Sequence, residues 1–316
     1  MATESEEVTG TQRIIGGRYD SAREILKEHW FSYALFVPTL LLLIFVVWFP
    51  MLRGVYMSFH SWPFVGEPAW VGLENFTYIF TWEAFYTSFR STVIYASTTF
   101  VQLGVALIAA LLIVRMEAFK NLTSALFLVP YTMPPVVTGT LWSFLLNPST
   151  GPVMGYLTGM KLIESPMYWT NDGGAALGVI MFAISWTFWP FMFLVILATL
   201  ESLPTEHYET AKIYGAGRIQ TFWHVTLPQI KSAILVAVSI RMVWNLTKVS
   251  QPLQLTQGGP GYDTSILAIL MYRFAWESGE LGRGFTVGLV LLAVTLAFVL
   301  LFIREFERES AKGGEI

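Results

Sequence analysis

Apolar positions in this 316-residue chain collect in long runs, and the polar positions gather between them. A helix rising 1.5 Å per residue needs about 20 such residues to cross a hydrocarbon core. Six runs of that order are read, over residues 31–49, 92–114, 121–146, 175–200, 230–249 and 285–303. The pattern predicts an all-α integral membrane protein. A polar leader covers residues 1–30, the transmembrane domain 31–304 and a polar tail 305–316.

Proline placement refines the runs. Pro38 is tolerated inside a bundle, whereas Pro50 is expected to end or kink the first span. Pro130, Pro134 and Pro135 interrupt the third, which is expected to be a single kinked helix, the kink being either packing or a hinge beside a pathway. Residues 147–174 and 251–283 read as external loops, and the repeat Gly151, Gly155, Gly159 as turns. Gly284 and Gly288, at the start of the last span, suit close helix contact or a flexible start equally.

Residues 203–230 are too polar for lipid and too patterned for a passive linker. Pro204 suits a first helical turn, and Thr205 with Glu206 supplies a capping hydroxyl and negative charge at its positive end. Gly215-Ala216-Gly217 should turn the chain into a second short helix carrying Ile219, Phe222 and Val225. Leu227-Pro228 then restarts the chain as the fifth span.

Composition narrows the function. With 54% of residues hydrophobic and 13% charged, no soluble core could hide the apolar runs. The absence of cysteine excludes disulfides, thiolate metal sites and a cysteine nucleophile. A net charge of −3 without a basic block gives no footprint for nucleic acid. No phosphate loop, H-E-x-x-H or nucleophile elbow occurs, and His29, His60, His207 and His224 are scattered, so neither a catalytic residue nor a metal ligand is named. The leader lacks the pattern of a cleaved signal and is expected to be retained. Arg and Lys are denser in the leader, the 115–120 turn, the 212–218 loop and the tail than in the opposite loops, which places both termini in the cytoplasm.

One stretch carries a resemblance. Glu209-Thr210-Ala211, Gly215 and Val225-Thr226-Leu227-Pro228 are similar to the cytoplasmic signature loop of binding-protein-dependent ABC importer permeases. Leu203-Pro204, Tyr208 and Phe222 resemble its carbohydrate branch, as do Val71 to Phe76, the third span from Leu128 to Trp142 and Leu255 to Ser265. Thr210 stands where the family has Ala, Tyr214 where it commonly has Asp, and Val249-Ser250 where it usually has Phe-Asp. The resemblance implies a six-helix permease bundle in the cell membrane, with coupling helices over residues 204–224. It further implies a second homologous permease, two ATPase subunits that hold ATP and Mg, and an extracytoplasmic sugar-binding protein. The chain itself holds no cofactor. Pro204, Glu206, Tyr208, Glu209, Ala211, Gly215, Ala216, Leu227 and Pro228 would then form the ATPase-coupling set.

A substrate pathway is a separate expectation. Sugars stack on aromatic faces and exchange hydrogen bonds with polar companions, which selects Tyr131, Trp142, Trp186 and Trp189 with Asn245 and Gln251. Simple bundle packing competes for each of them. Arg241 and Lys248, seven apart on one helix face, are costly at membrane depth unless they meet a cavity or partner. The rival reading, a stand-alone secondary transporter or channel driven by an ion gradient, needs acids within the spans, and these are scarce.

Overall fold

The structure, a computed structural model, describes residues 29–313, with side chains through residue 308. Most of the polar leader therefore lies outside the described residues. Contacts divide the chain into two units, Met1–Tyr56 and Met57–Ile316. Helix α1 (Trp30–Ser58) is apolar on every side, as a membrane-crossing helix must be. It does not end at Pro50. A wide π turn at Leu43–Trp48 precedes that proline and loosens the backbone where its missing N–H and bulky ring need room, so the helix continues.

The second unit opens with an antiparallel ribbon of β1 (His60–Ser61) and β2 (Ala69–Trp70). Short α2 (Glu74–Thr81) then leads to α3 (Glu83–Ile113), which starts nine residues before the apolar run expected at 92. The expected third span is two helices, α4 (Lys120–Thr132) and α5 (Pro135–Leu145). Met133 and Pro134 are both extended between them, because a residue before proline is pushed out of the helical region. Residues 147–174 hold a further helix, α6 (Pro152–Gly159), where turns were expected; Gly155 and Gly159 face open space, whereas Gly151 is buried against the Asn147 and Leu145 backbone.

Helix α7 (Gly173–Ser202) begins with an Asp172 cap that accepts a bond from the Ala175 N–H at 2.7 Å. Next come α8 (Thr205–Ile213) and α9 (Arg218–Thr247). Then follow α10 (Ser250–Thr256), α11 (Leu267–Tyr272) and α12 (Leu281–Gly313). Among the described residues, α1, α3, α7, α9 and the Leu281–Arg308 part of α12 are long and apolar enough to cross a membrane; the broken pair α4 and α5 makes the sixth apolar segment.

Helices α3 and α7 form the central pair, with α9 against both. Lipid offers no hydrophobic drive for this association, so close packing decides it. Ala106, Ala109 and Ala110 of α3 are buried against Met192, Phe193 and Ile196 of α7, the small side chains admitting the large ones. A second core cluster surrounds Ile180 and Ile184 of α7 and takes in Leu267, Ile269 and Leu270 of α11. The segment read as an external loop thus contains a helix whose first four residues are buried. Gly284 and Gly288 decide for close contact, since a Cβ would lie 3.1 Å from the Ala275 methyl at the first and 2.9 Å from the Met271 sulfur at the second.

One amide on α2 locks the ribbon, and α12 closes against it. Asn75 Nδ2 donates to the Ser58 and His60 carbonyls, each at 2.9 Å, and Gly282 sits so close that a Cβ would lie 2.0 Å from the His60 oxygen. An unpaired buried carbonyl costs about 1–3 kcal/mol. Asn75→Ala should lower the melting temperature of the detergent-solubilised chain by several degrees, and Gly282→Ala should lower it further. Unchanged fluorescence-monitored melting of both would show that this lock does not hold the ribbon.

Candidate functional site

The segment between α7 and α9 is built around a hard stop. Helix α8 follows an extended Pro204 and has Glu206 in its first turn, but its start makes no side-chain cap bond, so the expected capping hydroxyl of Thr205 is not used. At the other end Gly215 adopts φ 74°. Its N–H donates to the Lys212 carbonyl at 3.0 Å, and the Ala216 N–H donates to the Ala211 carbonyl at 2.9 Å. This pair of bonds is the Schellman stop, which requires a residue comfortable at positive φ. Tyr214 immediately before it is 87% exposed, and Ile213 is 83% exposed.

The faces of α8 differ. Thr205, Tyr208 and Lys212 share one side and line a cavity of about 830 Å³ together with Ala216 and the adjoining ends of α3 and α7. Ala211 packs beside His224 and Val225. Glu206, Glu209 and Ile213, also three and four apart, lie on another side and are exposed. Ile219 and Trp223 add exposed apolar surface in the first turns of the helix that follows. A polar helix that shows two acids and several large apolar groups to solvent has the makings of a docking face.

Beyond Gly217 the expected restart at Leu227-Pro228 does not occur. The helix that begins at Arg218 runs unbroken to Thr247 through a π turn at Phe222–Thr226. Pro228 has no N–H for the His224 carbonyl four residues back, and the wide turn sits where that bond is lost. Leu227 joins the core around α7, while Pro228 is exposed.

Farther along α9 the side chain of Arg241 is fully buried. It meets no carboxylate among the described residues. Its Nε donates to Gln102 Oε1 at 3.0 Å and its Nη2 to Asn245 Oδ1 at 2.5 Å, while Asn245 Nδ2 donates to Thr99 Oγ1 at 2.8 Å. The guanidinium lies 4.5 Å from the centre of the Phe188 ring, and the Lys248 ammonium 4.6 Å from it. The two cations do not share a helix face, because Lys248 is extended just past the end of α9, but they do share an aromatic plate, where a ring quadrupole partly replaces water.

Other pathway candidates cluster nearby on α7. Tyr131 packs on Phe188, Trp142 on Trp186 at 5.3 Å, and Gln251 Nε2 donates to Thr138 and Thr187 hydroxyls at 2.5 and 2.8 Å. Trp189 turns the other way, against Phe127 and Phe193 in the core cluster that Leu203 and Leu227 also join. Arg241 Nη1, Gln251 Oε1 and Trp142 Nε1 are buried without hydrogen-bond partners, two donors and one acceptor left open. Open buried groups of both kinds are what a polyhydroxylated ligand could satisfy.

The sequence reading missed the partners on α3. Ser88, Thr92, Tyr95, Thr99 and Gln102 recur every three or four residues and are all buried, a polar stripe inside an otherwise apolar helix. That spacing was the available signal. Thr92 serves α11, accepting from the Leu267 N–H at 2.8 Å in place of the cap that Ile266 cannot provide.

Residues 102–306 match the family described as binding-protein-dependent transport system inner membrane component. The probable ABC transporter permease protein YurN of Bacillus subtilis is 29% identical over 87% of this chain and 95% of its own. The sulfoquinovosyl glycerol transport system permease protein SmoG of Agrobacterium fabrum is 30% identical over 88% and 91%. A chain in the crystal structure of a bacterial ABC transporter involved in the import of the acidic polysaccharide alginate shares the fold, with a TM-score of 0.80 at 23% identity over 90% of this chain and 98% of that one. A family match across well over half its length, and relatives aligned nearly end to end, place this chain among the binding-protein-dependent transport system inner membrane components.

Proposed function

We propose that the chain is one of two permease subunits of an ATP-driven importer for a carbohydrate or related polyol. Two ATPase subunits, which supply ATP and Mg, drive it, and an external binding protein loads it. The family membership gives the permease role, and the relative named for sulfoquinovosyl glycerol supports the carbohydrate class. The sparse acids of the buried interior disfavour the ion-gradient alternative. The charge bias of the loops supports a cytoplasmic side for both termini and α8, the side where ATPase subunits work.

The observation that carries the mechanism is the exposed face of α8 between Pro204 and the Gly215 stop. In this reading Glu206, Glu209 and Tyr214 meet the ATPase, Ala211 and Gly215 keep the element thin, and Tyr208 and Ala216 hold it to the bundle. Force entering at α8 reaches α9 across Gly217, and α9 carries Arg241 and Asn245. Closure of the ATPase pair would rock the helices toward outward-open, and hydrolysis would return them. The sugar would pass the Phe188 region, where Arg241, Gln251 and Trp142 each hold an open hydrogen-bonding position.

Two variants test the coupling face. Glu209→Lys should abolish co-purification with the ATPase subunits and reduce uptake at least tenfold, while the melting temperature of the chain stays within error; retained uptake would sink the proposal. Gly215→Ala forces an L residue into the left-handed region at about 1–2 kcal/mol and should lower uptake while raising protease cleavage between α8 and α9. Arg241→Gln tests the pathway, since it keeps a donor for Asn245 but removes the cation. Transport should fall at least tenfold with little loss of thermal stability, whereas equal losses of both would make Arg241 a packing residue.

A further inference from the structure

The cavity behind α8 has an unusual charge balance. Four cations line it, Arg115, Lys120, Lys212 and Arg218, against one acid, Glu201. That acid is already engaged with Lys120 at 2.6 Å. Arg115, Lys212 and Arg218 form no ion pair among the described residues, although they stand on three separate pieces of chain: the end of α3, the inner face of α8 and the first residue of α9. Cations gathered around one hollow, even at exposed positions, raise a positive potential there that draws in an anion. The rest of the wall mixes the hydroxyls of Thr205, Tyr208, Thr221 and Thr226 with an apolar part formed by Leu111, Val114, Leu200, Leu203 and Phe222 where the spans end.

We infer that this cavity takes the headgroup of an anionic phospholipid, and that the lipid ties α8 to the ends of α3 and α9. A soluble phosphate would use the cations and leave the leucine, valine and phenylalanine wall idle; an amphiphile uses both. The position suits a lipid, because the cavity opens at the membrane-end level of α3 and α7, where basic pockets between helices collect anionic headgroups. Lys212 reaches it from a face of α8 about 100° round from Ile213, which does not line the cavity, so lipid and docking partner use different faces. The site stands whether or not an ATPase grips α8.

The test is native mass spectrometry of the purified full chain, delipidated and titrated with dioleoyl phosphatidylglycerol, dioleoyl phosphatidylcholine or glycerol phosphate. The wild-type chain should retain the anionic lipid in preference to the zwitterionic one. Arg115→Gln with Arg218→Gln should weaken it roughly thirtyfold, the expected effect of two membrane-proximal cations. Arg90→Gln with Lys161→Gln, which removes the same charge from exposed positions outside the cavity, should leave retention unchanged. Arg115→Lys with Arg218→Lys should keep most of it and shows that a loss in the Gln pair is not misfolding. Equal retention by the two Gln pairs, or no preference between the lipids, overturns the inference. So does displacement of the lipid by glycerol phosphate at equal concentration, which would assign the cavity to a soluble phosphate ester.

Discussion

Every amide and carbonyl that a helix break exposes inside a bilayer must find a partner within the protein, because hydrocarbon offers none. This chain breaks its helices in two places, between α4 and α5 and again around α10 and α11, and the buried polar stripe of α3 answers part of that demand. Ser91 donates to the Asp263 carbonyl, Thr92 accepts from Leu267, and Gln102 and Thr99 reach the α9 amides and guanidinium. Replace the stripe with leucines and the irregular segments lose the groups that make them tolerable at that depth. The polar interior is therefore structural support for the breaks and a source of open hydrogen-bonding positions at once.

The segment around α8 obeys a different constraint. It lies outside the packed core, so its shape comes from local backbone chemistry: an extended proline before the first turn and a glycine at positive φ after the last. Such ends define a short helix without burying it, and leave large side chains such as Tyr214 and Trp223 free for another surface. The same physics explains why α9 needs no break at Pro228, since a wide turn absorbs the lost hydrogen bond.

What the sequence disclosed follows from these two regimes. The apolar runs and the stop at Gly215 were legible because span length and positive φ are local signals. The start of α3 and the continuity of α1 and α9 were not, since polar residues extend a helix past its apolar run and a π turn lets it pass a proline. Buried α11 was read as a loop because Gly258, Gly259, Pro260 and Gly261 flank it and its own apolar stretch is only one and a half turns long. For Arg241, the sequence foresaw the cost of a charge at depth but not the answer, which is amides and a phenylalanine ring instead of a carboxylate.

The unbroken course of α9 gives the molecule leverage. Its 30 residues make a rod of about 45 Å, and Arg241 lies about 35 Å from the end at Arg218. Swung about a fulcrum at that end, a stiff rod turning by roughly 5° would carry Arg241 sideways by about 3 Å, the width of one hydrogen bond. A tilt too slight to unpack the neighbouring helices is thus enough to exchange one set of partners around that guanidinium for another.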